Sequence, residues 1–260
     1  PVSLTAGDYA DAKDSDIVII TSGIARKPGQ TRIELTQTNV NILKGITPQI
    51  VKEAPNAKYI IVSNPVDIMT YVFTKISGLS ENQIMGSGTI LDTARLRYGL
   101  SEHFKVAQGN IHAYVFGEHG DTSFIPWTGA YISGLSTDEY YEEMKAHGKD
   151  VKPLDKEAML EYVQKSGGKV IAKKGATFYA VSATVCQLVG LILAASDSLA
   201  TVSSMLHGEY GIEDVCLSTL TLVGPNGIQG KVQMRMNNEE VALLKKSAEA
   251  LKEVIAQIEL

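Results

Sequence analysis

Gly117-Glu118-His119-Gly120-Asp121-Thr122 sets one histidine among two carboxylates and two glycines. Imidazole titrates closer to neutrality than any other unperturbed side chain, so it can take a proton from an alcohol and hand it back. The motif follows an alternating apolar run over residues 111–116 that stops at a glycine, which predicts that His119 lies just past the end of a strand. A lone histidine in such a turn reads first as a structural residue, so partners decide the matter.

Two partners stand upstream. Asp92 and Arg95 are three residues apart in a helical segment and share one face. Taken alone, they read as an ion pair on a helix surface. Arg32 follows Pro28-Gly29 at a loop-to-helix junction, a natural hinge. A cation at a helix start opposes the helix dipole, which argues for a role outside the helix. Metal hydrolysis by Glu118, His119 and Asp121 fits poorly, because no second histidine stands at helical spacing.

The elements that must position these side chains alternate. Residues 17–21 and 59–62 are β-branched apolar runs that predict strands buried on both faces, with residues 2–5 and 83–86 as shorter strands. Between and after them, apolar spacing predicts helices over 31–53, 65–76 and 91–104. Strands alternating with helices imply crossover connections, hence an α/β doubly wound, Rossmann-type parallel sheet. Beyond residue 110 the texture changes. Helices are expected over 138–145, 155–173 and 177–196, strands over 200–205, 215–223 and 231–236, and a closing helix from Asn238 to the end. The division is therefore 1–109 for a partial dinucleotide-binding domain and 110–260 for an α+β substrate domain.

Composition narrows the function classes. A formal charge of −5 with dispersed Lys and Arg opposes a nucleic-acid or anionic-membrane partner. The most apolar stretch, residues 185–195, is too short to span a bilayer and reads as a core helix. Cys186 and Cys216 lie in apolar segments without metal-ligand spacing and read as buried free thiols of a reducing cytoplasm.

Three separated motifs carry a resemblance: Ala25-Arg26-Lys27-Pro28-Gly29-Gln30-Thr31-Arg32, the run Gly86-Ser87-Gly88-Thr89 through Arg95, and Gly117 to Thr122. In order and spacing they resemble the NAD-dependent L-lactate and malate dehydrogenases, over nearly the whole chain. The resemblance implies reversible hydride transfer between NADH and a small 2-keto acid. His119 would be the acid and base, oriented by Asp92, with Arg95 clamping the substrate carboxylate and Arg32 polarising the carbonyl. Asn64 would hydrogen-bond near nicotinamide and substrate, Thr177 would narrow the pocket, and Thr21, Ser22 and Gly23 would line the cofactor cleft. Arg97 and His112 resemble the cations that bacterial members place across a subunit interface for fructose 1,6-bisphosphate, and the family forms homodimers and homotetramers.

Substrate choice divides the motifs. Arg26 stands where lactate-type members carry glutamine and malate-type members arginine, and Gln30 agrees with a dianionic substrate. Glu118, the Gly86–Thr89 run and Thr177 look lactate-type. Charge pairing in a closed site outweighs a methyl-sized steric difference, so oxaloacetate is favoured here over pyruvate.

No G-x-G-x-x-G occurs in residues 1–60, and no acidic ribose ligand follows a second strand. Matched to the family, residues 2–5 are the third strand and 17–21 the fourth, so the sheet lacks its first two strands. In the order 3-2-1-4-5-6 the third strand should then have no neighbour and the fourth an open edge. A catalytically silent chain without its pyrophosphate cradle is the competing reading.

Overall fold

The computed structural model describes residues 2–25, 29 and 31–260. Its elements in order are β1 (Ile17–Ile20), α1 (Arg32–Glu53), β2 (Lys58–Ile61), α2 (Val66–Ser77), β3 (Ile84–Gly86), α3 (Ile90–Phe104), β4 (Ile111–His112), β5 (Tyr131–Ile132), β6 (Leu135–Ser136), α4 (Thr137–Ala146), α5 (Lys156–Lys174), α6 (Tyr179–Leu193), β7 (Ser198–Ala200), β8 (Ser203–His207), β9 (Glu213–Ser218), β10 (Thr221–Gly224), β11 (Gly227–Lys231) and α7 (Asn238–Ile255).

The main sheet runs β1-β2-β3-β8-β9. β1, β2 and β3 are parallel in register Val18–Tyr59–Ile84, and β8 joins β3 antiparallel through Gly86 and Ser203. Side chains of β2 alternate in the two-residue period of a strand. Tyr59 and Ile61 enter one core with α1, α2 and α7, while Ile60 enters another with Met85, Leu188 and Ile192. A third core under α3, α4 and α5 gathers Leu96, Leu100, Ile111 and Ile132. Smaller antiparallel sheets, β11-β10-β7 and β4-β5-β6, complete the α/β fold.

Several expectations change. Residues 2–5 form no strand, and Val2 and Leu4 are 89% and 92% exposed, since nothing in the described residues offers them a ladder. Among the described residues β1 pairs with β2 alone, and Ile20 is buried while Ile19 stays open on the opposite face, so the run is not covered on both faces. Of residues 111–116 only Ile111–His112 is a strand, followed by single bridges Phe116–Phe124 and Gly117–Ser218. Residues 200–205 split into β7 and β8, which belong to different sheets, and the last strand lies at Gly227–Lys231, ahead of its expected place. β8 and β9 extend the main sheet that the N-terminal strands begin.

α6 is apolar all round, yet only Thr184, Val185, Leu188 and Ile192 are buried. Phe178, Tyr179 and Leu193 are exposed, and Cys186 is exposed with them, correcting the core assignment of both the helix and that thiol. Cys216 is buried as expected. Among the described residues no helix is long and apolar enough to cross a membrane.

Candidate active site

The Gly117–Thr122 loop hangs from the end of β9. Gly117 N–H donates to the Ser218 carbonyl (3.0 Å) and Ser218 N–H donates back (3.2 Å), while Phe116 and Phe124 exchange a pair of backbone hydrogen bonds behind it. Gly117 has φ +93°, and a Cβ there would meet Ser247 Oγ at 2.9 Å, so conformation and space both select glycine. Ser247 of α7 accepts from Glu118 N–H at 2.8 Å and contacts Thr122 Oγ1 at 2.8 Å. Thr122 in turn donates to Glu118 Oε2 at 2.7 Å. A buried carboxylate is thereby satisfied on one side, and its Oε1 is met by the Arg32 guanidinium.

His119 is fixed at two points. Its backbone N–H donates to Asp67 Oδ2 (2.7 Å), and its ring Nδ1 lies 2.6 Å from Asp92 Oδ2. Asp92 Oδ1 accepts from Arg95 Nη1 at 2.9 Å, so the (i, i+3) pair on α3 is half of a three-membered cluster. α3 reaches this place through the Gly86–Thr89 turn. There Gly88 (φ +49°) leaves no room for a Cβ, which would lie 2.5 Å from Ser203 N.

Charge settles around these contacts. Burial opposes protonation of His119, but the Asp92 carboxylate and its hydrogen bond outweigh it and lift the ring to about 9. Asp92 shows the mirror effect: burial would raise it, yet His119 and Arg95 hold it below the usual carboxylate range. Asp67 goes the other way, pushed up to about 6 chiefly by burial, and its Oδ1 has no partner among the described residues. With Nδ1 held by Asp92, the ring's Nε2 is without a partner among the described residues and is available for proton transfer.

His119 and Asn64 line two adjoining clefts. One, of about 420 Å³, also takes in Ile24, Arg32, Thr36 and Glu118. The second, of about 240 Å³, takes in Asp92, Arg95, Gln164 and Thr177. Asn64, His119, Asp92, Arg95 and Thr177 therefore line one continuous site, with Arg32 across the opening, half-exposed at 49%. The first turn of α1 that carries Arg32 is closed by a capping box, Thr31 Oγ1 accepting from Glu34 N–H and Glu34 accepting from Thr31 N–H. Thr21, Ser22 and Gly23 leave the carboxyl end of β1, and Ser22 Oγ is buried without a partner among the described residues. Arg26, with the residues at 27, 28 and 30, lies outside the described residues. Arg97 is remote from this cleft. It donates to the Ala113 carbonyl (3.1 Å) and lies over the Tyr114 ring, one and two residues after exposed His112.

Three supporting residues escaped sequence reading. Asn39, buried on α1, receives Ile24 N–H (2.8 Å) and donates to the Asn64 carbonyl (2.8 Å), tying the loops after β1 and β2 together. A polar residue beside Val40 in the buried stripe was its only signal. Asp67 stands in the apolar segment that opens α2, and Ser247 interrupts the apolar face of α7. Among the described residues no cluster of three His, Cys, Asp or Glu side chains could hold a metal ion.

The comparisons with known proteins follow the same outline. The family model for the lactate/malate dehydrogenase NAD-binding domain matches residues 1–86, and that for the α/β C-terminal domain of the same family matches 89–259. L-lactate dehydrogenase of Acetivibrio thermocellus is 45% identical over 260 residues, covering 100% of this chain and 81% of the relative. L-lactate dehydrogenase 1 of Clostridium acetobutylicum is 46% identical over 258 residues, covering 99% and 82%. Among solved structures, a lactate dehydrogenase from a Medee basin deep-sea metagenome library superimposes with a TM-score of 0.93 at 32% identity, over 98% of this chain and 80% of that one. The chain, an NAD-linked oxidoreductase by this kinship, belongs to the lactate/malate dehydrogenase family.

Proposed function

We propose that the chain interconverts pyruvate and L-lactate, and that the His119–Asp92–Arg95 cluster facing Arg32 across the cleft is the site. The cluster is the observation that carries the reading: a ring nitrogen held by a buried carboxylate, beside a guanidinium with donors to spare. The choice of pyruvate over oxaloacetate follows the relatives at 42–46% identity, which are named L-lactate dehydrogenases. It reverses the preference drawn from Arg26. Arg26 still supports malate as a second reading, since a second guanidinium in a closed site pairs a second carboxylate.

The nicotinamide half of NAD fits these residues. The cleft lies outside the carboxyl ends of β1 and β2, where open α/β sheets take ligands, and Asn64 and Thr36 line it with polar side chains. When bound, the dinucleotide supplies and accepts the hydride. The chain's residues do the rest. Arg95 holds the substrate carboxylate through the donors that Asp92 leaves free. Arg32 exchanges Glu118 for the reacting carbonyl oxygen and stabilises negative charge growing there. His119 delivers the proton from Nε2, and Asp92 stabilises the charged ring beforehand. Thr177 and Asn64 close the sides of the pocket. Asp92 and Arg95, ahead of the proposed boundary at 109/110, and His119, after it, all lie within the stretch that matches the α/β C-terminal domain.

Steady-state oxidation of NADH with pyruvate and with oxaloacetate tests this directly. Turnover with pyruvate that His119→Ala abolishes supports the reading. No NADH fluorescence change and no turnover with either acid would instead favour a silent chain. Arg26→Gln should raise the pyruvate-to-oxaloacetate ratio by about tenfold or more, and an unchanged ratio ends the malate reading. Arg97 and His112 form the proposed fructose 1,6-bisphosphate site, supported by Arg97 lying against the segment that follows His112. Rates with and without the bisphosphate, in Arg97→Gln as well, decide it.

A further inference from the structure

A separate cavity of about 230 Å³ opens between the turn at Glu81–Gln83, β8, the turn at Glu209–Gly211 and β11. Lys231, the last residue of β11, reaches into it from the ladder position opposite Thr221. The stem is half-buried, and among the described residues its ammonium has one hydrogen-bond partner, the buried Ser204 hydroxyl. No carboxylate among the described residues forms an ion pair with it. The two acids lining the cavity are engaged elsewhere: Glu81 Oε2 with His207 Nε2 at 2.5 Å, and Glu209 Oε2 with His207 N–H at 2.7 Å. From β9 the buried Cys216 thiol faces the same region, and burial pushes that thiol up, so it is neutral.

The amine has thus given up hydration without gaining a counter-ion. Buried ammonium groups answer by losing the proton, and burial brings Lys231 down from 10.5 to about 8 against the opposing pull of Glu209 and Glu81. Near neutrality it carries roughly a hundredfold more of the free-base form than an ordinary lysine.

We propose that Lys231 is a reversible carbonyl-capture site that forms an imine with small neutral aldehydes. The nitrogen lone pair adds to the carbonyl carbon, and the C=O π pair takes up a proton as nitrogen releases one, giving a carbinolamine. Its hydroxyl leaves as water and the nitrogen pair closes C=N. The net change, amine plus aldehyde to imine plus water, needs no oxidant or reductant. The cavity opens to solvent, which takes the proton that nitrogen releases and supplies the one that departs with water. The class of ligand follows from the walls. Glu81 and Glu209 repel anions, so keto acids and acyl phosphates are disfavoured, and the volume admits compounds of only a few heavy atoms. The pocket is independent of the His119 cleft, with which it shares no lining residue.

The test uses the whole chain with propanal and cyanoborohydride, which reduces each imine to a stable propyl-lysine, followed by peptide mass mapping over time. At about pH 7, Lys231 should label roughly tenfold faster than exposed lysines such as Lys52 and Lys105, and the advantage should narrow steadily as pH rises towards about 10. Glyoxylate, an anionic aldehyde of similar size, should show no such preference. Lys231→Arg should remove the fast site and leave the other rates unchanged. Labelling of Lys231 no faster than Lys52, or equal preference for glyoxylate, overturns the proposal, and the wild-type map alone distinguishes these outcomes.

Discussion

Asp92→Asn takes a charge away from the His119 ring while leaving an oxygen at hydrogen-bonding length from Nδ1. The rise of the ring from 6.5 to about 9 corresponds to about 3.4 kcal/mol at about 1.4 kcal/mol per tenfold. Nearly a third of the side chain, 31%, meets solvent, and screening there leaves about 1.5–2.5 kcal/mol for the carboxylate charge. Losing that contribution at about 1.4 kcal/mol per tenfold should bring the midpoint down to about 7–8. Keto-acid reduction needs the protonated ring, which is present below the midpoint and lost above it. Wild-type reduction should therefore persist towards pH 9, whereas the variant should lose it through neutrality. Histidine ring protons followed by NMR across pH give the midpoint directly, and the pH dependence of kcat/KM with saturating NADH gives the catalytic counterpart. A variant whose ring still titrates near 9 refutes the assignment of the shift to Asp92, and with it the reason for placing proton transfer at Nε2.

The same shift predicts a stability slope. Because the folded-state value lies above the unfolded one, the contribution is complete below about 6.5 and drains away as pH rises to about 9, so urea midpoints should fall across that window in the wild type and much less in Asp92→Asn. Ser247→Ala leaves the buried Glu118 N–H without its acceptor and should cost about 1–3 kcal/mol by urea unfolding. It should also lower keto-acid turnover, although residue 247 touches no substrate, and full activity at reduced stability would separate the loop's support from its chemistry.

What could be read from the chain was whatever is local. The Ile-Val-Ile-Ile run of β1 and the Tyr-Ile-Ile run of β2 announce strands because β-branched and aromatic residues suit a pleated surface. The turn chemistry at Gly86–Thr89 and Gly117–Thr122 marks where the sheet hands over to its site. The pairing of Asp92 with His119, separated by 27 residues, came from motif resemblance, since no periodicity links the two. Asp67, Asn39 and Ser247 were hidden for the related reason that each acts on a loop far along the chain. Residues 2–5 have strand-like composition but no ladder, and β propensity without a partner makes no strand. α6 misled by the same logic at another scale: an apolar helix is buried only where something covers it, and Cys186 lies on its open side.

Ser247 sits 129 positions beyond Glu118, on the final helix. A ribosome therefore finishes both strands of the β8–β9 hairpin, and every acid, base and guanidinium of the cluster, before the residue that steadies the histidine loop emerges. Full support of the loop waits for α7 rather than accumulating along the way. A nascent or clipped chain that stops short of α7 would carry the full set of reactive side chains without the hydroxyl that anchors Glu118 and Thr122 beside them.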